Sequence, residues 1–372
     1  SAAVVLTEVN TFNNGDVGIK IDNTKGTGNV TITNSSSNTN MNGGLQLDTR
    51  GSATLNGFSA RGNYGPGAVI KAQKGVVIQY SVFDANQSYG INLPVGVNGN
   101  LTVKFSYAQN NYNAGFALRT GSGNIVLESV TANDNGLTHQ IAADLTMSGI
   151  FIQNLGSGTV SVKTIRADGN DYGAGSPVDQ RGSGMEIWST GAVTAVDVIA
   201  NENGGRGILI HNKDAAYAMP VTVKAVNASY NQFHGIEILS KGTILVDGSS
   251  AYQNLTAGLL LDNRTGTAGV TIQGTSGGNF IAVNYGYWDI GMPEDDLTYP
   301  GVTILSRGPV TISSLFAQTN YYGGVLIDTL GSVTIKGKQS QDNDFSNNLK
   351  SGLIIQTPGT ISLSGFTAFN NE

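Results

Sequence analysis

Residues 221–238 read Val-Thr-Val-Lys-Ala-Val-Asn-Ala-Ser-Tyr-Asn-Gln-Phe-His-Gly-Ile-Glu-Ile. Apolar residues alternate at Val221 and Val223, a small residue follows at Ala228, then Asn231, and Gly235 opens a second alternating run at Ile236 and Ile238. Alternation with period two marks a strand with one buried face, and Asn and Gly mark bends between such strands. Nothing between them carries the 3.6-residue spacing of a helix.

The same phrase recurs along the chain. Its starts are Val4, Val30, Ala53, Val76, Leu101, Ile125, Val160, Val193, Val221, Ile244, Val270, Val310, Val333 and Ile361. The shortest spacing is 23 residues, and longer spacings read as 23 plus an insertion. Ten residues after the start stands Asn in thirteen of the fourteen units: Asn14, Asn40, Asn63, Asn86, Asn111, Asn135, Asn170, Asn203, Asn231, Asn254, Asn320, Asn343 and Asn371. The exception is Phe280, with Asn279 one residue early. A single strand cannot bury its own face, but stacked coils bury a continuous core with parallel strand pairing. An inward Asn at a tight bend can hydrogen-bond the Asn amides above and below it, and Asn tolerates left-handed backbone there. The glycines suit bends that need positive φ or close backbone approach.

This pattern resembles the right-handed parallel β-helix proteins, a group that includes pectate-lyase-like enzymes, phage tailspikes and bacterial surface solenoids. The resemblance runs from Val4 to Asn371. It implies an all-β, single-domain right-handed parallel β-helix of about 14 coils, each of three short strands, with an Asn ladder at one turn. Composition agrees. The chain has 372 residues, 51 of them Gly, with 39% hydrophobic and 12% charged residues and a net charge of −6. It has no cysteine, so no disulfide framework is possible. There is no Lys/Arg-rich run to bind nucleic acid and no apolar stretch of about 18 residues to span a membrane.

Fold of this kind does not settle function. The resemblance implies catalytic carboxylates on the first strand of each coil, but no cluster of acids occupies adjacent coils there. Position 1 is instead a row of threonines, among them Thr31, Thr54, Thr102 and Thr222, suited to a solvated strand face. The third strand carries the better candidates: Glu186 and Trp188, His211, and Glu237. Glu186 and Glu237 share a column two coils apart, roughly 10 Å, near the upper end for an inverting carboxylate pair. Leu209 stands between them.

Four insertions, 136–148, 171–183, 281–300 and 344–351, are expected between ladder Asn and Gly. The longest holds Tyr285, Tyr287, Trp288 and Tyr299, candidate contacts for a glycan or a partner. Its acid run Glu294-Asp295-Asp296 offers oxygen ligands of the kind Ca²⁺ takes, without the nonapeptide calcium repeat of β-rolls. No other cofactor is expected.

The chain begins Ser1-Ala2-Ala3 and stops at Glu372, and neither end shows an amphipathic helix. Uncovered strand edges invite association, and a head-to-tail contact propagates into a filament. The leading expectation is therefore an extracellular or cell-surface prokaryotic structural solenoid, a self-associating subunit of a filament, sheath or adhesin rather than an enzyme. The alternative is a carbohydrate-active or glycan-binding β-helix of the polysaccharide lyase, glycosidase or tailspike kind. It would use Glu186, Glu237 and His211, with Trp188 and the loop aromatics against the glycan.

Overall fold

The structure, a computed structural model, describes residues 2–137, 147–171, 181–274, 278–285, 299–337 and 342–372. It divides into two compact units, Ser1–Ser189 and Thr190–Glu372. Among the described residues every regular element is a β-strand. Each unit is a right-handed parallel β-solenoid, and every strand pairing within it is parallel.

The coil starts read from the sequence are register partners. In the first unit Val4 pairs with Val30, then Ala53, Val76, Leu101, Ile125 and Val160 follow in turn. In the second unit the series is Val193, Val221, Ile244, Val270, Val310, Val333 and Ile361. Third strands stack in the same way, as in Ile208, Ile236, Leu259, Val302, Val325 and Leu353. Register follows from the pattern, because a slip of one residue would turn every aliphatic side chain outward. Val30, Ile32, Leu55 and Ile78 are buried to 1% exposure or less, each burial contributing about 1.5–3 kcal/mol. Phe83 lies inside between Phe58 and Phe116, each ring centroid 6.3 Å from its own.

Most coils bend twice through a left-handed residue among the described residues. The first bend comes four residues after the start, at Tyr80 (φ 51°), Phe105 (48°) and Ala225 (50°). The second comes just before the ladder Asn, at Thr39 (52°), Ala85 (54°) and Tyr230 (60°). The left-handed backbone expected of the ladder Asn therefore belongs to the residue before it, and no ladder Asn among the described residues has positive φ. The bend turns the chain so that the next side chain, the amide, points inward.

Within each unit the amides then form a ladder. In the first unit Asn14 Nδ2 donates to Asn40 Oδ1 at 2.8 Å, and the series continues through Asn63, Asn86, Asn111, Asn135 and Asn170. In the second it runs Asn203, Asn231, Asn254, Asn284, Asn320, Asn348 and Asn371. Two rungs differ from the sequence reading. Asn343 is not a rung: its Oδ1 accepts the Leu315 N–H at 3.0 Å, and Asn348 takes the place in the ladder. Likewise Asn279 accepts the Ser249 N–H at 2.9 Å, and the rung of that coil is Asn284. In both coils extra residues enter at the first bend, ahead of the rung, so a fixed count from the start stops short of it. The extra length assigned to 344–351 accordingly lies before Asn348, which keeps the ordinary spacing to Gly352.

The corner glycines serve close approach. A Cβ on Gly67 would lie 2.8 Å from Asn86 Nδ2, and one on Gly235 would lie 2.7 Å from Asn254 Nδ2. A side chain there would displace the rung itself.

Candidate functional site

A third strand presents its second and fourth residues outward. On Met185–Ser189 in the first unit these are Glu186 and Trp188, both half-buried. Ser148 Oγ donates to Glu186 Oε1 at 2.8 Å. Glu186 and Trp188 are register partners of Phe151 and Gln153. One coil further along, the Arg119 guanidinium lies 5.0 Å from the Phe151 ring centroid and donates to Asn92 Oδ1 at 3.0 Å.

In the second unit Glu237 stands on Ile236–Ser240 between Leu209 and Leu260 in register. His211, on Ile208–Asn212, lies 2.8 Å from Asp214 Oδ2 through Nε2. Glu186 and Glu237 thus fall in different units, and each has its own partner. For Glu237 that partner is Arg206, whose Nε bonds its Oε2.

Arg206 and His234 are the residues that the sequence reading did not select. Both occupy the position before the corner glycine, Gly207 and Gly235, and the two corners are joined by the Gly207 N–H to His234 O bond of 3.0 Å. Elsewhere that position holds uncharged residues, among them Val17, Pro66, Tyr89, Ala114, Ser148 and Ala257. Two basic side chains at one corner position in consecutive coils were the available signal. The Arg206 guanidinium lies 4.5 Å from the Phe233 ring centroid. Its terminal amino groups make no hydrogen bond among the described residues.

His234 is 2% exposed. Its Nδ1 accepts the Ala257 N–H at 3.3 Å and lies 2.7 Å from Thr256 Oγ1. A backbone N–H can only donate, so Nδ1 is the acceptor, the Thr256 hydroxyl donates to it, and the ring proton sits on Nε2. Burial, and secondly Arg206, holds the His234 pKa well below its ordinary 6.5, so the ring is neutral.

Tyr299, the last aromatic of the long insertion, meets the His234 ring edge to face at 4.9 Å. Burial, and then Glu237, raises its phenol pKa, so it is a proton donor at neutral pH. Arg264, ion-paired with Asp262 at 2.7 Å, borders the same cluster and acts electrostatically on Tyr299. Of the other loop residues, Tyr285 packs on Tyr321 at 5.1 Å. Tyr287, Trp288 and the calcium candidates Glu294, Asp295 and Asp296 lie outside the described residues. Among the described residues no group of three or more potential metal ligands occurs, and no helix is long and apolar enough to cross a membrane.

The arrangement presents a buried carboxylate, a guanidinium whose terminal amino groups are uncommitted among the described residues, and phenol and imidazole donors, beside the apolar Leu209 and Leu260. Such a set can hold an anionic, hydroxyl-bearing ligand and move a proton at it.

Parallel coils, inward aliphatic columns and Asn ladders define a right-handed parallel β-helix fold. A family model described as the right handed beta helix region matches residues 1–132. No curated protein matches the chain in sequence. Solved structures similar to it include two alginate-modifying enzymes. One is a double mutant of the periplasmic alginate epimerase AlgG, with 11% identity and a TM-score of 0.49, covering 98% of this chain and 77% of that one. The other is a complex of the alginate lyase AlyF-OU02, with 11% identity and a TM-score of 0.37, covering 97% and 80%. Both likenesses are distant, and the functional reading rests on the residues themselves.

Proposed function

We propose that this β-solenoid is an extracellular carbohydrate-active or glycan-binding protein whose ligand is an anionic, uronate-bearing polysaccharide. The observation that carries the reading is the buried Arg206–Glu237 pair sharing one cluster with neutral His234 and Tyr299. Leu209 and Leu260 fill the flanking coils at the position of Glu237, so the fold does not need a charge there. A buried ion pair is weak evidence for stability, whereas perturbed titratable groups cluster at functional sites. The terminal amino groups of Arg206, uncommitted among the described residues, suit a sugar carboxylate, and the Tyr299 phenol and His234 Nε2–H can donate to sugar oxygens.

The test is binding and turnover on anionic polysaccharides, alginate and pectate among them, against neutral ones. Glu237→Gln leaves Arg206 without its counter-charge. It is expected to destabilise the second unit by about 3–5 kcal/mol, whereas Arg206→Gln, which removes the group assigned to the sugar carboxylate, is expected to abolish discrimination between anionic and neutral chains. Unchanged discrimination alongside the loss of stability would show that the cluster only anchors Tyr299. Electron microscopy of the same preparations tests the filament expected from the sequence.

A further inference from the structure

In the first unit, the left-handed bend four residues after each coil start holds Asn34, Gly57, Tyr80, Phe105 and Ser129 in successive coils. A left-handed backbone disfavours bulky side chains, so small or amide residues are expected there. Tyr80 and Phe105 depart from this at φ 51° and 48°. They are also 60% and 40% exposed, so neither ring is placed there for the core. The two rings stack on each other, 5.1 Å apart and within 10° of parallel. Strain and exposure of this kind persist where something else uses the ring.

The coil beyond Tyr80 puts Gly57 at the bend, at φ 66°. The three atoms nearest to the place of a Gly57 Cβ all belong to Asn34, beginning with its Oδ1 at 2.8 Å. Gly57 thus puts no side chain of its own between Tyr80 and Asn34. A slot results, with Gly57 as floor, the Tyr80 ring as one wall and the Asn34 amide as the other. The Asn34 and Asn56 side chains are exposed, and they and the Gln79 amide make no hydrogen bonds among the described residues. Lys104 is paired with Glu128 at 2.7 Å and Arg61 with Asp84 at 3.8 Å, while Glu8, the exposed bend residue next to Asn34, is an acid that would repel an anionic chain.

We propose that this slot binds one sugar ring of a neutral polysaccharide, its C–H face on Tyr80 and its hydroxyls on the amides of Asn34, Asn56 and Gln79. Two rings expose far less than the roughly 800 Å² per partner of a stable protein interface. The surrounding amides suit hydroxyls rather than apolar side chains. This inference does not rest on the Glu237 cluster, and because its ligand is neutral the two readings can fail separately.

The experiment uses the full chain in affinity electrophoresis through xylan, glucomannan and mixed-linkage β-glucan, with calorimetry on xylohexaose, mannohexaose and cellohexaose. At least one probe is expected to bind. Tyr80→Gly, and Gly57→Asn, which fills the slot with a residue that tolerates the bend, should each weaken it roughly fivefold to tenfold, the scale of one ring contact. Tyr80→Gly should also raise Tm, because glycine relieves the left-handed strain. Failure of all probes to bind the wild-type chain overturns the proposal, as does binding that survives both variants. A dimer in light scattering that Tyr80→Gly dissolves, without sugar binding, overturns it in favour of a contact between copies.

Discussion

The Asn corner of the first unit and the outer third-strand face of the second obey different rules. At the corner each amide is completed by its neighbours. Asn86 Oδ1 accepts from Asn63 Nδ2 at 2.9 Å and from the Asn63 N–H at 3.2 Å, while its own Nδ2 donates to Asn111 Oδ1 and to Ala60 O. Every coil must therefore repeat the same group. On the outer face, successive coils place Leu209, Glu237, Leu260 and Thr303 at one position. Nothing in the stacking requires those side chains to match, so chemistry can be placed there coil by coil. Repetition marks what holds the fold, and departure from it marks where a ligand can be met.

The contrast can be broken first at the corner. Asn86→Leu strips acceptors from Asn63 and donors from Ala60 and Asn111, all buried. It is expected to destabilise the first unit by about 3–5 kcal/mol, read by urea unfolding. A loss under about 1 kcal/mol would mean that the rungs are replaceable one at a time.

A pH titration sharpens the outer face. His234 is held neutral below its ordinary pKa of 6.5. Its contribution is intact above that value. As pH falls below it, the unfolded chain takes up a proton that the folded ring refuses, and stability declines. His234→Gln should remove this slope from thermal unfolding followed between pH 7 and 5. A slope that persists unchanged assigns it to other groups.

The smallest effect belongs to a solvated pair on the first unit. Lys104 and Glu128 meet at 2.7 Å with side chains 32% and 37% exposed. Lys104→Ala should leave the unfolding midpoint almost unchanged, and the small change should shrink further in high salt. A larger loss would place this surface under the same constraint as the corner.

The sequence carried the coil starts, the parallel stacking and twelve of the fourteen rungs, because each depends on a pattern repeated within about two dozen residues. The expectation failed at Asn343 because the added residues at the bend have no repeat to mark their phase. At the site it found Glu237 and Tyr299 from strand alternation and loop composition. It passed over Arg206 and His234, which look like ordinary corner residues when read one coil at a time.

By itself, then, the sequence determined the coil and what a coil must contain, since backbone pairing and burial act between equivalent positions of neighbouring repeats. Only the tertiary structure decided which side chains meet on the outside. Arg206, His234, Glu237 and Tyr299 come from separate corners, a strand and the end of an insertion. Stacking brings them within reach of one another, and burial there keeps His234 neutral and the Tyr299 phenol protonated.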